Sequence, residues 1–110
     1  MPVAHRQVGC VVVVAVTGRL VIGGETEQLE RLVSELAEQG SLKFVFDVSE
    51  LDGADSAGIG AIVSCLTLIG KAGGESRLAG AKPRFERALN LTALGTLLQF
   101  YASVDDAVRA

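Results

Sequence analysis

A chain of 110 residues, 49% hydrophobic and 21% charged, has the size of a single domain spanning 1–110 and too little charge for a disordered segment. Ten Lys+Arg against thirteen Asp+Glu leave a net charge of −3, which argues against a generic binder of the nucleic-acid phosphate backbone. The longest apolar run, Val8 to Val16, is about half of the ~20 residues a membrane-spanning helix needs, and no signal-peptide pattern accompanies it.

That run is rich in valine, whose branched Cβ favours extended backbone, and it reads as a strand buried on both faces. Thr17-Gly18-Arg19-Leu20 then turns towards Gly23-Gly24. Leu29, Leu32, Val33 and Leu36 recur at i, i+3, i+4 and i+7, one face of a helix that Thr26 is placed to cap and Gly40 to stop. Leu42 to Val48 forms a second buried strand. Ile59, Ile62, Val63, Leu66 and Ile69 make another apolar helical stripe, ended at Gly73-Gly74. A third strand falls at Ser76 to Ala79. Pro83 suits the first turn of a helix that carries Phe85, Ala88 and Leu89 inward. A short strand around Phe100-Tyr101 precedes a helix from Val104, capped by Ser103, with Asp105 and Asp106 at its positive end. Such alternation implies an α/β sheet with helices packed on it.

Few residues offer chemistry of their own. Cys10 and Cys65 lack metal-ligand spacing and lie in apolar runs, so they are expected to be buried small hydrophobes in a reducing compartment. His5, the one histidine, stands at an exposed start. Neither a dinucleotide fingerprint nor a phosphate loop is present, and Asp47, Asp52 and Asp55 have no accompanying nucleophile–base pair. No cofactor, metal or self-contained catalysis is expected.

The distinctive stretch joins the second strand to its following helix: Asp47-Val48-Ser49-Glu50-Leu51-Asp52-Gly53-Ala54-Asp55-Ser56-Ala57-Gly58-Ile59-Gly60. Ser56 stands where the helix begins, so its hydroxyl can accept from free amides of the first turn. Gly58 and Gly60 each cost up to about 1 kcal/mol against alanine in a helix, which points to close backbone approach. Taken alone, Asp-Ser-x-Gly reads first as a structural cap.

In context the sequence resembles the STAS family, the sulphate-transporter and anti-sigma-factor-antagonist domains, over nearly its whole length. The most specific portion is Phe44-Val45-Phe46-Asp47-Val48-Ser49 followed by Asp55-Ser56-Ala57-Gly58-Ile59-Gly60. Gly73-Gly74-Glu75 is similar to the family's glycine turn. Leu89-Asn90-Leu91-Thr92-Ala93-Leu94 is similar to a further segment, with Ala93 replacing the usual glycine. The resemblance implies a single-layer mixed β-sheet of four to five strands packed with four to five helices. It also implies a non-enzymatic, cytoplasmic anti-sigma factor antagonist that binds an anti-sigma factor acting as a serine kinase. Ser56 would be the phosphorylated residue, and Asp52, Asp55, Ser56, Ala57, Gly58 and Ile59 the partner-binding surface. A phosphatase would restore the hydroxyl; direct nucleic-acid binding and membrane insertion are not implied, and a homodimer is left open.

One position departs from the pattern: Val21 stands where family antagonists commonly carry an acid. Either the surface is retuned for another partner, or the chain has left the ordinary phosphorylation cycle. The alternatives are then a non-phosphorylated scaffold or regulatory subunit of a stress-sensing or lipid-transport complex, and a small hydrolase or nucleotide binder. Leu91, Leu94, Leu97 and Leu98 either pack beneath the last strand or form an apolar patch. Lys82, Arg84 and Arg87 make a solvated helix start that could also serve as a docking rim.

Overall fold

The valine run divides at Gly9-Cys10 in the computed structural model, which describes residues 3–20, 24–91 and 99–110. Strand β1 (Val3–Val8) pairs antiparallel with β2 (Val11–Val16), Val8 facing Val11 across a two-residue connection. Gly9 has φ +61°, while Cys10 keeps negative φ. Glycine with positive φ at the first position is what a two-residue hairpin of the II′ type requires. Hydrophobicity alone did not reveal this break, because Val8 and Val11 are apolar on both sides of it. The expectation of burial on both faces holds for β2, where Val12, Val13, Val14 and Val16 are at most 1% exposed; β1 is an exposed edge beyond Val3.

β3 (Gly18–Leu20), α1 (Gly24–Glu38), β4 (Lys43–Asp47) and β5 (Leu51–Ala54) follow. Next come α2 (Ser56–Lys71), β6 (Glu75–Ala79), α3 (Pro83–Asn90), β7 (Phe100–Tyr101) and α4 (Val104–Arg109). The main sheet has five strands in the order β1-β2-β4-β6-β7, parallel throughout except at β1. It is therefore mixed, with four helices among the described residues, as the sequence implied.

Strand alternation sorts the sheet into two faces. Val12, Val14, Phe44, Phe46 and Leu78 join Leu29 and Val33 of α1, Ile62 and Ile69 of α2, and Leu89 of α3 in the larger core cluster. Val11, Val13, Val45 and Ala79 point the other way, beneath Ala107 of α4. The helical stripes of α1 and α2 thus face the sheet as their spacing predicts. Among the described residues, no helix is long and apolar enough to cross a membrane.

Several local expectations are confirmed and others corrected. Helix α1 leaves at Gly40 with Gly40 N donating to Ala37 O (3.1 Å) and Ser41 N to Leu36 O (3.0 Å), the paired closing bonds of a Schellman motif. Pro83 opens α3, and Ser103 Oγ caps α4 by accepting from Asp106 N at 3.2 Å. Thr26, in contrast, lies inside α1 and is 7% exposed; it does not precede the helix. The stretch read as a turn at Thr17–Leu20 contains β3, which pairs in parallel with β5, itself read as loop. Leu91 is 89% exposed. Val21, Leu94, Leu97 and Leu98 lie outside the described residues.

Candidate functional site

The two-stranded ribbon carries the chain to the start of α2. Gly18 N donates to Glu50 O (3.0 Å) and Leu51 N to Val48 O (3.1 Å), fastening the ribbon beside the end of β4. There Asp47 Oδ1 accepts from both Ser49 N (3.1 Å) and Ser49 Oγ (2.7 Å), shaping the turn between β4 and β5. Gly80, at the end of β6, closes against that turn. A Cβ there would lie 2.6 Å from Ser49 Cβ, and its φ of +73° favours glycine in any case.

Asp55, between β5 and α2, is the N-cap. Its backbone is extended (φ −87°, ψ −175°), and its Oδ1 accepts from Gly58 N at 2.8 Å. Ser56 is therefore the first helical residue and not the cap that its position suggested. Adjacent residues of equal capping ability compete for one site, and the carboxylate occupies it. The Ser56 side chain is exposed, and its hydroxyl makes no hydrogen bond among the described residues. Asp55→Ala is expected to cost about 1 kcal/mol of stability by urea unfolding, and Ser56→Ala less than about 0.5 kcal/mol. A larger loss at Ser56 would return the cap to the hydroxyl.

The other candidate residues divide by depth. Asp52 and Asp55 are exposed beside Ser56, whereas Ala57 and Ile59 are half-buried and Gly58 is buried. Ile59 packs against the main core, anchoring the first turn of α2 to the fold. Gly60 is exposed with open space around it, so it does not mark the close approach expected of it. Asp52 Oδ1 lies 3.5 Å from Lys82 Nζ, with side chains 73% and 48% exposed. An exposed pair of this length contributes little to stability.

Asp52 and Lys82 both line a cleft of about 490 Å³ between the ribbon, α2 and α3. Leu51, Ile59, Phe85 and Ala88 supply its apolar lining. Arg19, Lys82 and Arg84 bring positive charge to it. Lys82 and Arg84 belong to the docking rim expected from the sequence, whose third cation, Arg87, does not line the cleft; Arg19 was not expected there. No local signal links Arg19 to α3, because their proximity follows from the pairing of β3 with β5.

The cysteines differ from each other. Cys65 is buried, and desolvation, reinforced by the negative charge of Glu30, pushes its thiol up to about 12. Cys10 is exposed at the hairpin tip, contrary to the expectation of burial. Only a thiolate attacks an alkylating reagent, so iodoacetamide at about pH 8 is expected to label Cys10 and spare Cys65 in the folded protein. Peptide mapping with Cys65 labelled as fast as Cys10 would contradict that burial. Among the described residues, no group of three His, Cys, Asp or Glu could hold a metal ion.

The family model of the STAS domain matches residues 1–107. A Thermotoga maritima protein with the suggested role of anti-sigma factor antagonist is 30% identical over 74 residues, 67% of this chain. The matched stretch spans 66% of that relative's length. A crystal structure from Thermotoga maritima, given the same suggested role, superposes with a TM-score of 0.85 at 25% identity, covering 97% of this chain and 92% of the other. The anti-sigma factor antagonist SpoIIAA is similar in fold in both of its forms. Its unphosphorylated form gives a TM-score of 0.79 at 18% identity, covering 97% of this chain and 94% of the other. The phosphorylated form, from Bacillus, gives 0.81 at 20%, covering 97% and 96%.

Proposed function

Because the chain belongs to the STAS domain family, we propose that it is a non-enzymatic, cytoplasmic anti-sigma factor antagonist, acting as one unit over residues 1–110 and switched by phosphorylation of Ser56. Its partner is an anti-sigma factor that is also a serine kinase, and a separate phosphatase reverses the modification. Asp52, Asp55, Ser56, Ala57, Gly58 and Ile59 form the recognition surface. The single observation that supports the switch is the exposed Ser56 hydroxyl at the first position of α2, with the capping bond made by Asp55 instead.

The physics follows from that division of labour. A phosphoryl group adds about −1.5 to −2 charges. At a helix N-terminus it meets unpaired amides and the positive end of the dipole, so α2 tolerates it. The cap is untouched because it belongs to a different residue. Outside the helix, the new charge joins Asp52 and Asp55 on the exposed surface. A partner shaped for the bare hydroxyl is then excluded by bulk and by mismatched charge. The fold persists while the interface is lost.

Intact-mass analysis of the protein recovered from its native cells tests this reading, with wild type beside Ser56→Ala. A species heavier by about 80 Da that vanishes with the substitution is the expected result, one added phosphate group. Recovery of unmodified protein alone, under conditions where the sigma factor is held inactive, would oppose the switch. With Val21 in place of an acid, that outcome would favour the second reading, a non-phosphorylated scaffold or regulatory subunit.

A further inference from the structure

The cleft between the ribbon and α3 stands out because its charge opposes that of the chain. The protein carries −3 in total, yet three cations and a single carboxylate line this one depression. Lys82 is engaged with Asp52 at 3.5 Å. Arg19 and Arg84 are exposed and have no ion-pair partner among the described residues. Beneath the charges lies an apolar floor: Leu51 is 4% exposed, and Ile59, Phe85 and Ala88 are half-buried. Half-buried apolar side chains beside guanidinium groups that lack ion-pair partners suit a ligand that is both apolar and anionic.

We propose that this cleft docks an acidic segment of the partner protein, one bearing a large apolar side chain flanked by carboxylates. The proposal rests on the reading of the chain as an antagonist and deepens it. The apolar side chain covers Ile59, Phe85 and Ala88, while the carboxylates meet Arg19 and Arg84. Continuity with the Ser56 surface favours a protein segment over a free small anion. Asp52 lines the cleft, and Ile59 lies three residues beyond Ser56, one turn along the same helix face. A partner that covers the Ser56 hydroxyl is therefore brought against the cleft by the same approach. The sequence also offers no glycine-rich loop to cradle free phosphates. The two surfaces are electrostatically coupled: a phosphoryl group on Ser56 places negative charge beside the path of an acidic segment and repels it.

The test is a titration of the full ¹⁵N-labelled chain with the acetylated, amidated peptide Glu-Asp-Leu-Phe-Asp-Glu, followed by amide chemical shifts. Two further probes are the same peptide with lysine at every acidic position, and GTP as a small anion. The acidic peptide is expected to shift the amides of Arg19, Gly53, Ile59 and Phe85, and the lysine peptide to leave them unmoved. Affinity should fall about tenfold in the Arg19→Glu/Arg84→Glu double variant. It should also fall as salt rises from about 50 to about 500 mM, since exposed charges are screened. Arg84→Glu places an acid in the first turn of α3, where the helix dipole favours it, and the amide spectrum of the free variant reports whether the fold is kept.

Absence of cleft shifts up to millimolar acidic peptide would overturn the proposal, as would equal shifts with the lysine peptide. Shifts produced by GTP and not by the peptide would also overturn it, making the cleft a small-anion pocket. Failure here is separable from failure of the switch. A cleft that ignores the peptide in a protein still phosphorylated at Ser56 removes the docking segment and leaves the antagonist reading. A cleft that takes the peptide in a chain never modified at Ser56 does the reverse.

Discussion

Ser56→Glu is expected to weaken binding to the proposed anti-sigma factor partner about a hundredfold, or about 2.8 kcal/mol, while leaving the melting temperature within a few degrees of wild type. Two effects act at different places. At the interface, a longer anionic side chain replaces a small neutral hydroxyl beside the exposed carboxylates of Asp52 and Asp55. Within the helix, an acid at the first position of α2 interacts favourably with the dipole and contributes about 0.3–1 kcal/mol. Because Asp55 makes the capping bond to Gly58 N, nothing in the first turn depends on the serine oxygen. Ser56→Ala is the companion variant: under the proposed switch it should bind as wild type does but resist inactivation by the proposed kinase. Calorimetric titration and thermal melting of the same samples separate the two effects. A fall of ten degrees or more in the melting temperature would mean that the switch works by unfolding, and unchanged binding would remove Ser56 from the interface.

Phe46→Ala should give the largest loss of stability, about 3–5 kcal/mol. Phe46 is 0% exposed, sits in the centre strand between Val14 of β2 and Leu78 of β6, and packs in the larger core cluster with Ile62 of α2. Its ring lies near-parallel to that of Phe44, two residues earlier on the same face, with centroids 6.3 Å apart. Truncation leaves a void that strands held in parallel register on both sides cannot close. Against a total stability of about 5–15 kcal/mol for a domain of this kind, the variant would be close to unfolding. The consequence reaches the site, because Asp47 follows directly and shapes the turn into β5. Urea denaturation measures the loss; a value below about 1 kcal/mol would show that the sheet face under α2 collapses easily around the gap.

The parts of the fold that are legible in the sequence share a short range along the chain. The stripe of Leu29, Leu32, Val33 and Leu36 has helical period whatever it packs on, and α1 turns it to the core, with Leu29 and Val33 buried and Leu32 and Leu36 half-buried. Gly40, Pro83 and Ser103 act on the backbone within four residues of themselves, so their roles are readable from neighbours alone. The hairpin was harder. Valine on both sides of Gly9-Cys10 hid the reversal, since composition is indifferent to chain direction. The β3–β5 ribbon was harder still. Gly18-Arg19-Leu20 and Leu51-Asp52-Gly53-Ala54 have no alternation and no β-branched residues, and they are strands only because each pairs with the other.

The candidate site divides in the same way. Its motif and the first turn of α2 lie in one contiguous stretch, Asp55 to Gly60, which with Phe44 to Ser49 is also the most specific part of the family resemblance. Position along the chain pointed to Ser56 as the cap, although aspartate and serine cap equally well and sequence order does not say which of two neighbours takes the site. The choice became visible in the 2.8 Å bond to Gly58 N, made by the residue whose backbone is extended. The cationic cleft had no local signature at all. Arg19 reaches Lys82 and Arg84 through the parallel pairing of β3 with β5 and the packing of α3 nearby. Periodic burial and end-capping are short-range effects that a stretch of chain carries with it; the company a side chain keeps across the surface is set by strand register between distant segments, which no single stretch encodes.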